Sequence, residues 1–223
     1  MLDFIFPRLC HLCGTPLTSG KEECICVPCQ ARLPRTLYHR QPGNPMEMRF
    51  AGLFPFERAS GHFFYSPDSY IAQLIQDFKY RHFRKLARYM GEIVGRELLL
   101  TGFFSDIDVI VPIPMHFLKK ARRGYNQTEE IATGISAVTG IPIEKSLRAR
   151  RPHKTQTSLS LQKRRDNLKD IFTLTDNHRF NQKHLLLLDD VCTTGTTLAE
   201  AARTIYHKET DVKISMLTIG VTF

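Results

Sequence analysis

The hydrophobic pattern is clearest near the carboxyl end of the chain, where four leucines at 185–188 precede Asp189, Asp190 and a threonine-rich loop. An unbroken apolar run of this length is typical of a strand buried on both faces of a parallel sheet. Beyond the loop, apolar residues recur with the spacing of an amphipathic helix, for which Thr194 or Thr196 is available as the N-cap. The segment therefore predicts a strand, a polar loop and a helix.

Similar patterns predict three more elements upstream. Two helical stripes follow one another, the first over 71–78 and the second over 86–98. The stretch DIDVIVPIP predicts a second buried strand, which Pro112 and Pro114 end because proline cannot donate to the ladder. This alternation of strand and helix predicts an α/β fold with a doubly wound parallel sheet, in which ligands bind at the carboxyl ends of the strands.

The loop after the leucine run has the chemistry of a phosphate site. Its backbone N–H groups, its hydroxyls and the positive end of the following helix all favour an anion. The residues concerned are Thr193, Thr194, Gly195, Thr196 and Thr197. Gly195 allows a positive φ and a close approach to the ligand. The carboxylates of Asp189 and Asp190 repel phosphate, so we expect them to bind neighbouring hydroxyls or a hard cation. A phosphorylated sugar offers both a phosphate for the loop and hydroxyls for the carboxylates.

Neither the P-loop G-x-x-x-x-G-K-[ST] nor the dinucleotide fingerprint G-x-G-x-x-G occurs in the chain. The stretch LLLLDDVCTTGTT instead resembles the phosphoribosyl pyrophosphate (PRPP) signature of type I phosphoribosyltransferases, with Cys192 where an aliphatic residue is more usual. The resemblance implies that Asp189 and Asp190 hold the ribose 2′- and 3′-hydroxyls, that the loop holds the 5′-phosphate, and that Mg²⁺ accompanies PRPP. The simpler alternative is a strand end with an acidic turn and a helix cap.

Five of the six cysteines lie in the first 29 residues. Two C-x-x-C pairs, Cys10 with Cys13 and Cys26 with Cys29, have the spacing of a closed tetrahedral zinc site, which would be structural. Cys24 lies outside the pairs as a spare or an alternative ligand. The alternative interpretations are that these cysteines form a redox dithiol or that they cluster by chance.

The composition is that of an ordinary globular chain: 223 residues, of which 42% are hydrophobic and 24% charged. This excludes a disordered protein. No apolar run approaches the length of a membrane span, and the opening MLDFIFPRLC is too short, and carries an acid too early, to be a secretory signal. We therefore expect a cytoplasmic protein without a membrane span.

Positive charge is concentrated between 115 and 170, where thirteen basic and five acidic residues supply +8 of the net charge of +9. Such a block suits a polyanion, either pyrophosphate or a nucleic-acid backbone, although a solvated basic face is the plain alternative. The pyrophosphate candidates are the loop at 111–114 with Pro112, and Arg122, Arg123, Gly124, Asn126 and Gln127. The nucleic-acid candidates are Lys119, Lys120, Arg164 and Arg165, and Tyr125 is a candidate for stacking on a base.

Three further stretches narrow the resemblance: LIQDFKYRHFRKLA at 74–87, ARRGYNQTEEIA at 121–132 and KTQTSLSLQKRRDNLKDIF at 154–172. With the paired C-x-x-C and the terminal loop, they occur in the order seen in the ComF family, the competence protein F or GntX-like group. The resemblance covers nearly the whole chain. It implies a phosphoribosyltransferase-like protein involved in DNA uptake, with a competence helicase and single-strand-binding factors as partners.

The expected organisation is a zinc-binding knuckle at 1–35, a linker or hood arm at 36–65 and a phosphoribosyltransferase-like domain at 66–223. Two functions compete. In one, the chain is a module that binds Mg²⁺-PRPP or a phosphorylated ribose and contacts single-stranded DNA during uptake. In the other, it is an active phosphoribosyltransferase, in which a nucleophile attacks C1 of the ribose and pyrophosphate leaves.

Overall fold

The computed structural model describes residues 8–17, 23–80, 83–150, 171–176 and 179–222, apart from the side chain of Arg122. Arg164 and Arg165 lie outside the described residues. A four-stranded sheet in the order β1-β6-β5-β2 forms the centre of the fold. The strands are β1 (Arg58–Phe64), β2 (Val109–Pro112), β5 (His184–Cys192) and β6 (Lys213–Val221). A separate antiparallel pair is formed by β3 (Leu147–Ala149) and β4 (Phe172–Leu174).

All neighbouring strands of the main sheet are parallel, as the buried leucine run predicted. In register, Leu188 lies beside Pro112 on one side and Leu217 on the other, and Asp189 lies beside Thr218. Because parallel strands finish at the same edge, the acids of β5 emerge close to the ends of β2 and β6. The candidate residues of three strands therefore share one edge of the sheet.

Helices cover both faces of the sheet, which confirms the doubly wound arrangement. One face packs against α3 (Tyr70–Tyr80), α4 (Arg84–Leu99) and α6 (Gln127–Thr139). The other packs against α2 (Pro45–Phe50) and the helix after the threonine loop, α7 (Thr196–Tyr206). Alternate residues of β5 enter the two cores, Leu186 and Leu188 on one side and Leu185 and Leu187 on the other. Apolar neighbours on both faces explain the continuous leucine run.

Short elements complete the described chain. The cysteine-rich segment contains a bridge between Leu9 and Pro16 and helix α1 (Val27–Ala31). A single 3₁₀ turn covers Tyr38–Arg40, and α5 (Phe117–Arg123) follows β2. Among the described helices, none is long and apolar enough to cross a lipid bilayer.

The structure corrects the prediction that 36–65 is a linker or arm. Residues 58–64 form strand β1, which pairs with β6 at the edge of the sheet. Upstream of it, α2 buries Met46 and Phe50 almost completely against the sheet. The segment contributes to both cores, with Phe63 on one face of the sheet and Met46 and Phe50 on the other, even though its proline and polar residues suggest a loop.

Candidate functional site

The two acids that end β5 are placed differently. The carboxylate of Asp190 is buried, whereas Asp189 is half-buried and borders a cleft. The backbone N–H of Asp190 donates to Oδ1 of Asp189 at 2.8 Å. The N–H of Val191 donates to Oδ1 of Asp190 at 2.7 Å. Successive side chains of a strand point to opposite faces of the sheet, so the two carboxylates lie in different surroundings and cannot contact one ligand in the same way.

Two side chains from helices converge on the other oxygen of Asp190. Lys79, near the end of α3, places Nζ 2.6 Å from Oδ2, and Gln127, the first residue of α6, donates from Nε2 to the same oxygen at 2.8 Å. The sequence-based analysis did not identify Lys79, because a basic residue at the end of a helix ordinarily faces water. The ammonium group of Lys79 is thus a positive charge in direct contact with the acid pair.

The pKa of Asp189 is raised to about 8. Removal of the carboxyl from water is the main cause, and the negative charge of Asp190 adds to it. The Asp190 N–H and Lys79 act in the opposite direction. Asp189 therefore keeps its proton to a higher pH than a free aspartate does, and while protonated it can donate a hydrogen bond as well as accept one.

The cleft beside Asp189 has a volume of about 120 Å³ and lies between the end of β2, α5 and the start of α6. Pro114, His116, Lys119 and Gln127 line it together with Thr197 of the threonine loop. Phe172 of β4 lines it as well. Acid, amide, cationic and hydroxyl groups thus surround one opening, which suits a polar ligand with anionic parts.

The threonine loop has the conformation that its glycine predicted. Gly195 has φ 76°, in the left-handed region, and is the residue before α7. This corrects the expectation that Thr194 or Thr196 caps the helix: the two hydroxyls instead lie 2.8 Å apart, hydrogen-bonded to each other. Thr193 and Thr194 are exposed. The loop therefore presents hydroxyls and the amino end of an 11-residue helix toward solvent.

Helix α2 supports this loop from below, which the sequence-based analysis did not anticipate. The guanidinium of Arg49 donates to the backbone oxygens of Cys192, Thr193 and Thr222. A Cβ at Gly195 would come within 2.9 Å of two ring atoms of Phe50. A larger residue at 195 would therefore collide with Phe50.

Several of the residues predicted to bind pyrophosphate lie at the ends of strands or helices. Pro112 is the last residue of β2. Gly124 ends α5 with φ 82°, and Asn126 caps α6 while donating to the carbonyl of Ile113. Arg123 donates to Oε1 of Gln127 at 2.6 Å, so Gln127 connects it to Asp190. The side chain of Arg122 lies outside the described part of the chain.

The described basic candidates near the cleft differ in their partners. Lys119 lines the cleft, whereas Lys120 pairs with Glu129 at 3.1 Å, as does Lys145 at 3.0 Å. Tyr125 is only 3% exposed and donates its hydroxyl to the carbonyl of Phe78, so it packs in the core and cannot stack on a base. Tyr80 is an exposed aromatic residue in this region, 65% exposed, with the guanidinium of Arg123 5.4 Å from its ring centre.

The four predicted zinc ligands come together. The sulfur atoms of Cys10, Cys13, Cys26 and Cys29 all lie within 4.8 Å of one another, and Cys13 and Cys26 are 3.6 Å apart. A tetrahedral zinc with four sulfurs at about 2.3 Å needs sulfurs roughly 3.8 Å apart, so the cluster fits the metal with small adjustments. Cys24 is buried outside this cluster.

Helix α3 connects this cluster to the acid pair. At its first turns, Gln73 donates to the carbonyl of His11, between Cys10 and Cys13, at 3.1 Å. Asp77 lies 3.8 Å from the His11 ring. Two residues later, Lys79 reaches Asp190. One helix therefore contacts both sites.

No family model matches the chain, but curated relatives do. Competence protein F of Haemophilus influenzae is 35% identical over 136 residues, which cover 58% of this chain and 59% of that protein. DNA utilization protein YhgH of Escherichia coli K12 is 28% identical, over 88% of this chain and 90% of that protein. Competence protein ComFC of Bacillus subtilis is 29% identical, over 98% and 80%. These homologues confirm the resemblance to the ComF group.

Solved structures overlap with part of the chain. A Bacillus subtilis glutamine PRPP amidotransferase complexed with ADP and GMP is 19% identical with a TM-score of 0.39, covering 58% of this chain and 25% of that one. Leishmania donovani UMP synthase is 15% identical with a TM-score of 0.36, covering 66% and 24%. At such scores the overlap is partial, so the fold assignment rests on the chain's own parallel sheet and its helices.

Proposed function

Since the chain is a homologue of competence protein F, ComFC and YhgH, we propose that it acts in DNA uptake or utilization and binds a phosphorylated ribose. The ligand is PRPP or a ribose carrying a 5′-phosphate. One observation carries the proposal: Asp189 and the threonine loop, with its positive-φ Gly195, border the same edge of the sheet. An acid for hydroxyls and a helix terminus for phosphate are thereby adjacent.

Each half of such a ligand has a chemical partner. The exposed hydroxyls of Thr193 and Thr194 and the amino end of α7 suit the phosphate. The carboxyl of Asp189 suits a ribose hydroxyl, either as acceptor or, when protonated, as donor. Asp189 alone provides too few ligands to hold a cation. The Mg²⁺ expected with PRPP would therefore be coordinated mainly by phosphate oxygens, as is usual for this ion.

Calorimetry with PRPP and with ribose 5-phosphate, each with and without Mg²⁺, tests the proposal. Asp189→Asn should weaken binding about ten- to a hundredfold, because a neutral amide oxygen accepts from a ribose hydroxyl more weakly than a carboxylate does. Asp211→Asn is the matched control, since Asp211 is exposed at the opposite, amino end of β6. Absence of binding by the unaltered chain would refute the phosphoribose assignment.

Phosphoribosyl transfer is the second candidate, and the cleft itself favours it. Lys119 and His116 border the opening that Asp189 also borders. A departing pyrophosphate needs cationic groups and hydrogen-bond donors of this kind. The same bound ligand would then be a substrate, so binding alone does not separate this candidate from the first.

Contact with single-stranded DNA is the further part of the proposed role, and Tyr80 supports it. Its ring is exposed and has the guanidinium of Arg123 beside it, which is an aromatic and cationic arrangement suited to stacking on a base. Tyr70, at the other end of the same helix and 44% exposed, provides a control.

Fluorescence anisotropy with a labelled oligothymidylate tests this part. Affinity should fall with salt, with a log–log slope of about −0.7 per phosphate engaged. Tyr80→Ala should weaken binding several-fold or more without changing that slope, because stacking on one base contributes about 1–3 kcal/mol. Equal losses for Tyr70→Ala and Tyr80→Ala, or no binding at low salt, would exclude Tyr80 as a stacking residue.

A further inference from the structure

The ion pair between Lys79 and Asp190 is the least expected feature of the site. It is largely removed from water, with side-chain exposures of 21% for Lys79 and 8% for Asp190. Placing two charges in such a position costs desolvation energy, and removing one partner leaves the other charge uncompensated. The pair therefore fixes the position of the Asp190 side chain more firmly than a surface salt bridge would.

The hydrogen bonds of Asp190 leave little capacity for a ligand. Oδ2 already interacts with Lys79 and Gln127, and Oδ1 accepts from the N–H of Val191. A ribose hydroxyl that approached Oδ2 would have to compete with an ammonium and an amide. Asp189 differs, because its described hydrogen bond involves only Oδ1 and its side chain borders the cleft.

We propose that the two acids have separate roles: Lys79 is a positioning residue that holds Asp190 as an anchored carboxylate, and Asp189 is the acid that contacts the ligand. The inference rests on the proposed phosphoribose site. It divides between two residues a task that the resemblance to phosphoribosyltransferases assigns to both.

The charged groups around the acid pair show which of them offsets the repulsion between the two carboxylates. Lys79 approaches from α3 and Gln127 from α6, while His116 and Lys119 face the same cleft as Asp189 from the α5 side. Beyond β5, Arg49 reaches the backbone of Cys192. Two carboxylates on consecutive residues repel each other, and Lys79 is the cation in direct contact with one of them. Without Lys79 the pair would hold a proton to a higher pH.

A double-mutant cycle on ribose 5-phosphate affinity tests the division of roles. Lys79→Met should weaken binding about tenfold in the unaltered chain and again in Asp189→Asn, but less than about twofold in Asp190→Asn, where no carboxylate remains to be held. Lys79→Gln, which keeps a hydrogen-bond donor, is the second variant should Lys79→Met fold poorly. Lys213→Met, an exposed charge loss at the amino end of β6, is the control.

The outcomes separate this inference from the proposed function. Absence of binding by the unaltered chain refutes the phosphoribose site itself. Binding that Lys79→Met weakens equally in all three backgrounds, or not at all, leaves that site intact and overturns the role of Lys79.

A measurement without ligand tests the same contact. In ¹³C NMR titrations of the aspartate carboxyls, the midpoint of Asp189 should move to higher pH in Lys79→Met, because the positive charge that favours its ionised form is lost. Lys213→Met should leave the midpoint in place. An unchanged midpoint in Lys79→Met would show that Lys79 does not act on the acid pair.

Discussion

Arg35 holds Glu97 through two nitrogens, with Nε 2.7 Å from Oε2 and Nη2 2.6 Å from Oε1. The same guanidinium donates to the carbonyls of Gln30 and Leu33, at the end of the cysteine-rich segment. Nε2 of His62, in β1, lies 2.8 Å from the same Oε2 of Glu97. One side chain of α4 thus joins the cysteine segment, the edge strand and the helical layer.

This junction predicts a pH dependence of stability. Burial alone would raise the pKa of Glu97, but hydrogen bonds from His62 and Arg35, together with their charges, lower it to about 2. Because the pKa is lower in the folded chain than the ordinary value of 4.5, the carboxylate stabilises the fold above that value. The contribution should be lost as the pH falls from there toward about 2.

Denaturant unfolding measured across this pH range checks the prediction. Glu97→Gln should be less stable than the unaltered chain at neutral pH, and the difference should shrink as the solution is acidified. Glu92→Gln removes a more exposed pair, with Arg96, on the same helix and should cause little change at any pH. A constant difference between the Glu97→Gln and unaltered chains would contradict the role given to Glu97.

The cysteine cluster predicts a bound metal. Protein purified without added metal should contain about one zinc per chain, because four thiolates at this spacing form a closed site. Cys26→Ser should lose the zinc and much of its thermal stability. Cys24→Ser, a change at a buried cysteine outside the cluster, should retain it.

Elemental analysis of freshly prepared, reduced protein makes this comparison. Equal zinc contents in the two variants, or none in the unaltered chain, would exclude a four-thiolate site. The connection through α3 gives a second readout, since removal of zinc by a chelator should also weaken ribose 5-phosphate binding if Gln73 and Lys79 move together.

Arg49 predicts that α2 controls the threonine loop. Arg49→Ala removes the donor shared by the carbonyls of Cys192, Thr193 and Thr222. The loop should lose its fixed position, and ribose 5-phosphate affinity should fall about tenfold, since charged hydrogen bonds contribute roughly 1.5–3 kcal/mol. Arg203→Ala on the exposed side of α7 is the control. Unchanged ligand affinity in Arg49→Ala would rule out this supporting role.

The sequence predicted those parts of the molecule that have a local signal. The leucine run, the glycine of the threonine loop and the two apolar stripes of α3 and α4 are each visible within a short window. Strand β1 has no such signal: Ala59, Ser60 and Gly61 are small or polar, yet all are buried because β6 and the helices enclose them. Its place is set by tertiary contacts.

The candidate site shows the same limit. Asp189, Asp190 and the loop are consecutive, so their chemistry was apparent in the sequence. Lys79 and Arg49 are distant in sequence from the residues they contact, and a basic residue at a helix end or in a proline-rich segment ordinarily faces water. Only the folded chain shows that they reach the site.

Catalysis of phosphoribosyl transfer would require more than a bound phosphoribose. A transferase must hold an acceptor in line with C1 while positive charge develops there. The cleft beside Asp189 is lined by none of the described residues of the segment 34–64, so this segment supplies no polar group there to select a base. Its buried residues Met46 and Phe50 belong to the core, and Arg49 holds the threonine loop.

We therefore expect the chain to bind Mg²⁺-PRPP and to release pyrophosphate slowly or not at all with adenine, guanine, hypoxanthine, uracil, orotate, ammonia or glutamine. A coupled pyrophosphate assay across these acceptors measures this directly, with Asp189→Asn as the matched variant that should lose any specific turnover. A cleft that binds the sugar phosphate without aligning an acceptor lowers no barrier at C1, so binding and turnover should be separable. Release at about one per second or faster with any acceptor, abolished in Asp189→Asn, would instead identify an active phosphoribosyltransferase.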